Sequence, residues 1–323
     1  MRLLRLHSFF VAIACAIAFP VLAQPYPNKP IRILVPFAPG GSIDVLARLL
    51  APRMADELGQ PVIVENRPGA GGRIAPEAVA KAAPDGYTIL ISSNFLAVIP
   101  ALYRKLEFDP TRDLAPLSQL IATELVLVAT PSLPAHDLKE FIALARAKPG
   151  QLNHASTGVA SQLHLTMEVI KHLAGIDVVQ IPYKGDGPAL SALLSGEVGV
   201  AVLPISTVSL HVRNGRLRAL AVTGTQRSSA LPEVPTLAEA GLPGVDMSGW
   251  MSFFAPAGTP RAVLSRVQQA AAKALAAPEV RERLPALGQI PVGSTPADFE
   301  AKYKADVETF RRIVANASIA PQD

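Results

Sequence analysis

Five short loops hold the residue types in this chain that could do chemistry: PFAPGGSID (36–44), RPGAGG (67–72), SSNF (92–95), STGVASQ (156–162) and YKGDGP (183–188). Each follows a short apolar run, and several open a helical pattern. The first amides of a helix lack intrahelical acceptors, and the helix dipole stands behind them, so such a start favours a negative group. Gly40 and Gly41 let the backbone come close to a ligand, and Ser156, Thr157 and Ser161 can donate hydroxyl hydrogen bonds. Any one such loop is as easily a tight turn with a capping residue. Their recurrence after successive strands argues for a shared anion site. The candidate ligand-binding residues are Phe37, Ala38, Pro39, Gly40, Gly41, Ser42, Asp44, Ser92, Asn94, Ser156, Thr157, Gly158, Ser161, Lys184 and Gly185. Asp44 and Arg48, four apart, read first as a helix-bracing pair. Lys184 and Arg73 border these loops and could meet an anion, though solvated surface is the commoner fate of such residues.

The chemistry that is missing narrows the function. GAGGRI begins like a dinucleotide fingerprint, but Ile74 takes the place of the third glycine. There is no phosphate-binding G-x-x-x-x-G-K-[ST] and no G-x-S-x-G nucleophile elbow. The histidines lack metal-ligand spacing; His154 and His164 flank one loop, and structural hydrogen bonding is the simpler reading of each. No loop carries paired carboxylates for acid and base work. The expectation is a binding protein with no catalytic residues, no cofactor and no metal.

The loops must be held by strands. Candidates are IRILV (31–35), VIVEN (62–66), TILIS (88–92), LVLVA (125–129), LNHAS (152–156), VVQIP (178–182), VGVAVL (198–203), LRALAVT (217–223) and MSFFA (251–255). Most are continuously apolar, as buried parallel strands are. Helix-length stretches lie between them, and 30 prolines and 22 glycines punctuate the alternation. This pattern predicts an α/β protein with parallel sheets covered on both faces. Open α/β sheets bind ligands at strand carboxyl ends, where these loops fall. The chain is expected to cross between lobes near 121–125 and again within 223–251, which gives lobe 1 as 24–122 plus 226–323 and lobe 2 as 123–225. From Pro260 onward the sequence reads as helices that return to the first lobe.

A net charge of +4, with acids and bases interspersed over 323 residues, argues against nucleic-acid binding. The N-terminus has Arg2 and Arg5, an apolar stretch from Phe9 to Phe19, Pro20, and small residues before Gln24. That is a secretory signal peptide with cleavage expected after Ala23. The lone cysteine, Cys15, lies inside it, so the mature chain would have none. The mature protein is expected to be exported, and the periplasm is expected because the function implied below needs one.

PFAPGGSIDVLAR, VENRPGAGG, VAKAAPDGYTIL, STGVASQLHL, IPYKGDGPAL, LRALAVTG, LPEVPTLAEAGLPG and FFAPAGTP together resemble the Bug family. These are the extracytoplasmic solute receptors of tripartite tricarboxylate transporters. The resemblance covers nearly all of the mature chain. It implies a type II periplasmic-binding-protein fold, two α/β lobes with a ligand cleft between them. It further implies that the loop at 36–44 bridges through waters to a ligand carboxylate, and that the loop at 156–161 grips the ligand from the second lobe. The ligand would be a small organic carboxylate, left unaltered and handed to membrane permease subunits. A sensing role on the same fold, through a sensor kinase ectodomain, is the alternative. The protein is expected to be a monomer. Arg73 and Ser191 depart from the family pattern, and an inward-turned Arg73 would favour a second carboxylate.

Overall fold

The computed structural model describes residues 26–156, 161–183, 185–243, 246–285 and 289–316. Residues 1–23, read from the sequence as a signal peptide, lie outside them. Two sheets form the frame. The first contains β1 (Ile31–Val35), β2 (Val62–Asn66), β3 (Thr88–Ser93), β4 (Leu114–Thr123), β10 (Gly249–Pro256) and β11 (Gln289–Pro291), in the order β11-β4-β10-β3-β1-β2. The second contains β5 (Leu125–Ala129), β6 (Asn153–Ser156), β7 (Val179–Pro182), β8 (Val200–Pro204) and β9 (Arg218–Val222), in the order β7-β6-β8-β5-β9.

Both sheets are mixed, which corrects the expectation of parallel sheets. The trio β2-β1-β3 and the trio β7-β6-β8 are parallel. The strands that carry the chain between sheets run the other way: β10 is antiparallel to β3 and β4, and β5 to β8 and β9. A fully buried strand is apolar throughout whichever way it runs, so its composition does not reveal its direction. Two strands escaped the sequence reading. β4 carries Pro116, Ser118 and Gln119, which interrupt its apolar run, and β11 is three residues long.

Burial on both faces explains the runs. In β1, Ile31, Ile33 and Val35 pack with Leu46, Leu50 and Met54 of α1 (Ser42–Leu58) and with Val267, Ala270 and Ala274 of α8 (Arg261–Ala276). Leu34 points to the other face. There the core includes α2 (Ile74–Ala80), α3 (Phe95–Leu102), Trp250, Phe254, and Phe299, Tyr303, Val307 and Phe310 of α10 (Pro296–Asn316). In α1 the buried apolar positions 43, 46, 47, 50, 51, 54 and 58 fall on one stripe at helical spacing.

The second sheet is covered by α4 (Leu138–Ala147), α5 (Gln162–Ala174), α6 (Asp186–Ser195) and α7 (Ile205–Arg213). Leu231, Val234, Leu237 and Leu242 belong to this core as well, so it takes in residues beyond position 225. The first crossing falls between Thr123 and Leu125, and the return between Leu242 and Gly249. Leu165 and Val169 of α5 join the aromatic cluster of α10, which ties a second-lobe helix to the first lobe. The short α9 (Pro278–Arg283) completes the helices. Among the described residues, no helix is long and apolar enough to cross a membrane.

Candidate functional site

A cleft of about 760 Å³ lies between the sheets, lined by residues of both. Its first wall begins where β1 ends. Gly41 is the N-cap of α1, extended at φ −75° and ψ 164°, and no side chain caps the helix. The opening amides of α1, at Ser42 and Ile43, therefore lack intrahelical acceptors beside the cleft. The left-handed turn falls at Gly40, φ +88°, rather than at Gly41.

Asp44 holds this loop in shape. It is 3% exposed and accepts hydrogen bonds from the Gly40 N–H (2.9 Å), Asn66 Nδ2 (2.9 Å) and Arg48 Nε (3.0 Å). Asn66 Nδ2 also donates to the Phe37 carbonyl at 3.0 Å. Burial works to raise the carboxyl's pKa, but the hydrogen bonds from Arg48, Gly40 and Asn66 outweigh it and hold the group below the usual carboxylate range. Asp44 is thus a charged brace whose oxygens are already taken.

The loop after β2 completes the wall. Gly72 has φ +91°, and a Cβ there would come 3.0 and 3.1 Å from the Phe37 ring and 3.3 Å from Phe95. Those two rings meet edge to face at 6.2 Å. Arg73 stacks on Tyr103 at 4.0 Å and donates to the Ala70 carbonyl at 2.9 Å. It is not on the cleft wall.

The second wall starts at α5. Ser161 is its N-cap and accepts the His164 N–H at 3.2 Å. Gln162 Nε2 donates to the Met247 carbonyl at 3.1 Å and packs on Gly249, where a Cβ would come 2.6 Å from its Oε1. Asp186, the first residue of α6, also lines the cleft, as do Trp250 and Met251 of β10. Behind this wall His154 is fully buried, and among the described residues neither ring nitrogen makes a full hydrogen bond. Its ring stacks with His164 at 6.5 Å. Burial pushes His154 down to about 4. It also lowers His164, against the pull of Glu168, whose Oε1 is 3.6 Å from His164 Nε2 and 2.8 Å from Lys171 Nζ.

Of the residues singled out from sequence, Phe37, Ala38, Gly41, Ser42, Asp44, Asn94 and Ser161 line the cleft together. Pro39 and Gly40 sit in the same loop, exposed and off the wall. Ser92 is buried, with no partner for its Oγ among the described residues, and is paired with Ser252 across β3 and β10; the wall takes Ser93 instead. Successive strand residues point to opposite faces, so a one-residue error changes the surface. Ser156 is buried beneath the wall and accepts from Gln180 Nε2 at 2.6 Å. Gly185 caps α6, and it is its neighbour Asp186 that reaches the cleft. Thr157, Gly158 and Lys184 lie outside the described residues. Sequence reasoning missed Ser93, Tyr103, Gln162, Asp186, Trp250 and Met251. Asp186 and Gln162 were in loops already suspected; nothing local marks Trp250 or Met251, which arrive on a strand from far along the chain.

Two mixed α/β layers with a cleft between them, lined by Gly-rich loops and helix starts together with apolar and aromatic side chains, define a solute receptor of the periplasmic-binding-protein type. The family described as tripartite tricarboxylate transporter family receptor matches residues 46–317, and the chain belongs to it. The protein BugT of Bordetella pertussis is 43% identical over 315 residues, 97% of this chain and 96% of that one. A Rhodopseudomonas palustris protein solved with adipate is 32% identical with a TM-score of 0.78, covering 92% of this chain and all (100%) of that one. MatC of the same organism, solved with bound malate, is 34% identical with a TM-score of 0.75, covering 90% and 100%.

Proposed function

We propose that this protein is an exported receptor that takes up a small organic carboxylate in the cleft and delivers it, chemically unaltered, to a membrane permease. The observation that carries this reading is the uncapped start of α1, its amides beside a cleft whose loop is braced from behind by Asp44. A carboxylate there would meet backbone donors and a helix dipole. Adipate and malate in the solved relatives support the ligand class. On this reading the ligand is held by Phe37, Ala38, Gly41, Ser42, Asn94 and Ser161, and the signal peptide takes the protein to the periplasm. The lobes would be residues 24–123 with the chain after the return crossing, and 125–242.

A ligand bound only by the folded form stabilises it by about 2.7 kcal/mol at a hundredfold excess over Kd. A thermal-shift screen should therefore give hits among organic acids and none among neutral sugars. A clear shift with a sugar and none with any acid would overturn the reading.

A further inference from the structure

Asp186 is a charged group on the cleft wall that nothing among the described residues engages. It makes no hydrogen bond or ion pair with them, whereas Asp44, the other charged residue described on the wall, has its oxygens filled. Burial holds the Asp186 carboxyl above the usual carboxylate range, and no described basic group acts against it. Its place at the start of α6 lets the helix dipole tolerate a negative charge. That tolerance applies equally to an acid turned to solvent and does not account for a half-buried one on a ligand-sized cleft. The rest of the wall is largely apolar, with Phe37, Phe95, Leu125, Leu163, Trp250 and Met251. No described lysine or arginine lies on it.

This makes the two walls electrostatically unlike. The first offers N–H donors to an anion. The second offers a desolvated acceptor, which would repel a second carboxylate and pair with a cation or a strong donor. Resting on the carboxylate reading above, we propose that the ligand is a zwitterion, an amino acid with an apolar side chain, whose carboxylate meets the start of α1 and whose ammonium meets Asp186. Asp186 is then the residue that selects amino acids over plain and dicarboxylic acids.

Calorimetric titration of the intact mature protein tests this with phenylalanine and leucine, their counterparts lacking the amine (3-phenylpropionate and 4-methylpentanoate), and adipate. The wild-type protein should bind the amino acids at least about tenfold more tightly than the amine-free acids and adipate. Asp186→Asn should abolish that ratio and keep or improve binding of the amine-free acids. A merely structural Asp186 would shift the melting temperature and leave the ratio intact, which would overturn the proposal. So would amine-free acids or adipate matching the amino acids on wild-type protein, a comparison that needs no variant; binding of those acids would leave the carboxylate reading standing. Failure of every acid to bind would remove that reading and this one with it.

Discussion

Asp44 and Asp186 stand in the first turns of helices on facing walls of one cleft, and their surroundings differ. Asp44 is surrounded by Arg48, Asn66 and the Gly40 amide and is held ionised; Asp186 is desolvated with no described partner. On the first wall Asp44, Arg48 and Asn66 reach back to shape a loop whose helix-start amides stand beside the cleft. On the second wall the side-chain ends themselves face the cleft, above a layer containing the buried His154–His164 stack. An acid near a helix start can thus serve the fold or the ligand, and its hydrogen-bond partners decide which.

Acid titration should separate the walls most strongly. His154 protonates near 6.5 in the unfolded chain and near 4 when folded. Between those values the unfolded state holds more protons, so the stability due to a neutral buried His154 is complete above pH 6.5 and lost as the pH falls toward 4. At about 1.4 kcal/mol per pH unit the loss is on the order of 3 kcal/mol. Asp44, held below its ordinary 3.8, keeps its contribution through that window and loses it only at lower pH. Denaturant unfolding between pH 7 and 4 should show this slope in wild type and a flatter one in His154→Leu. An unchanged slope would place the acid-sensitive group elsewhere.

Asp44→Ala should cost about 2 kcal/mol of stability, because the Gly40 amide and Asn66 lose a charged acceptor. Binding of every ligand should weaken alike as the loop loses its shape. Asp186→Asn should instead melt at or above the wild-type temperature, since it removes an unpaired, partly desolvated charge. Equal destabilisation by both variants would break the contrast between the two acids.

Gly41→Val sharpens the reading of the first wall. Its backbone is at φ −75°, and a Cβ there meets only the Ala38 carbonyl at 3.7 Å. Folding should therefore be nearly unaffected, while titration should show at least about tenfold weaker binding, about 1.4 kcal/mol. Full-strength binding by the folded variant would mean that the start of α1 is not the anion site. The smallest effect belongs to Ser161→Ala, which removes the α5 cap and should lower stability by about 1 kcal/mol in melting curves.

Much of this was legible in local pattern. The Gly-rich turn after β1, the helical stripe of α1 and the loops after β2 and β3 are short-range features, governed by backbone sterics and by burial on both faces of a strand. They sufficed for an α/β protein of two lobes. What the sequence left open depended on which residues meet from far apart. The antiparallel β10 brings Trp250 and Met251 to a wall built by residues 36–125, and no local signal encodes that meeting. The alternation of strand faces put Ser93 in the cleft and buried Ser92, a choice made by register against β10. Ser156 reads as a ligand hydroxyl until Gln180 of the neighbouring strand β7 takes it. Asp44 and Asp186 are alike as letters in a loop; hydrogen-bond donors from Asn66 and Arg48 claim one, and only tertiary structure leaves the other to a ligand, because donors must be brought within about 3 Å to satisfy a charge.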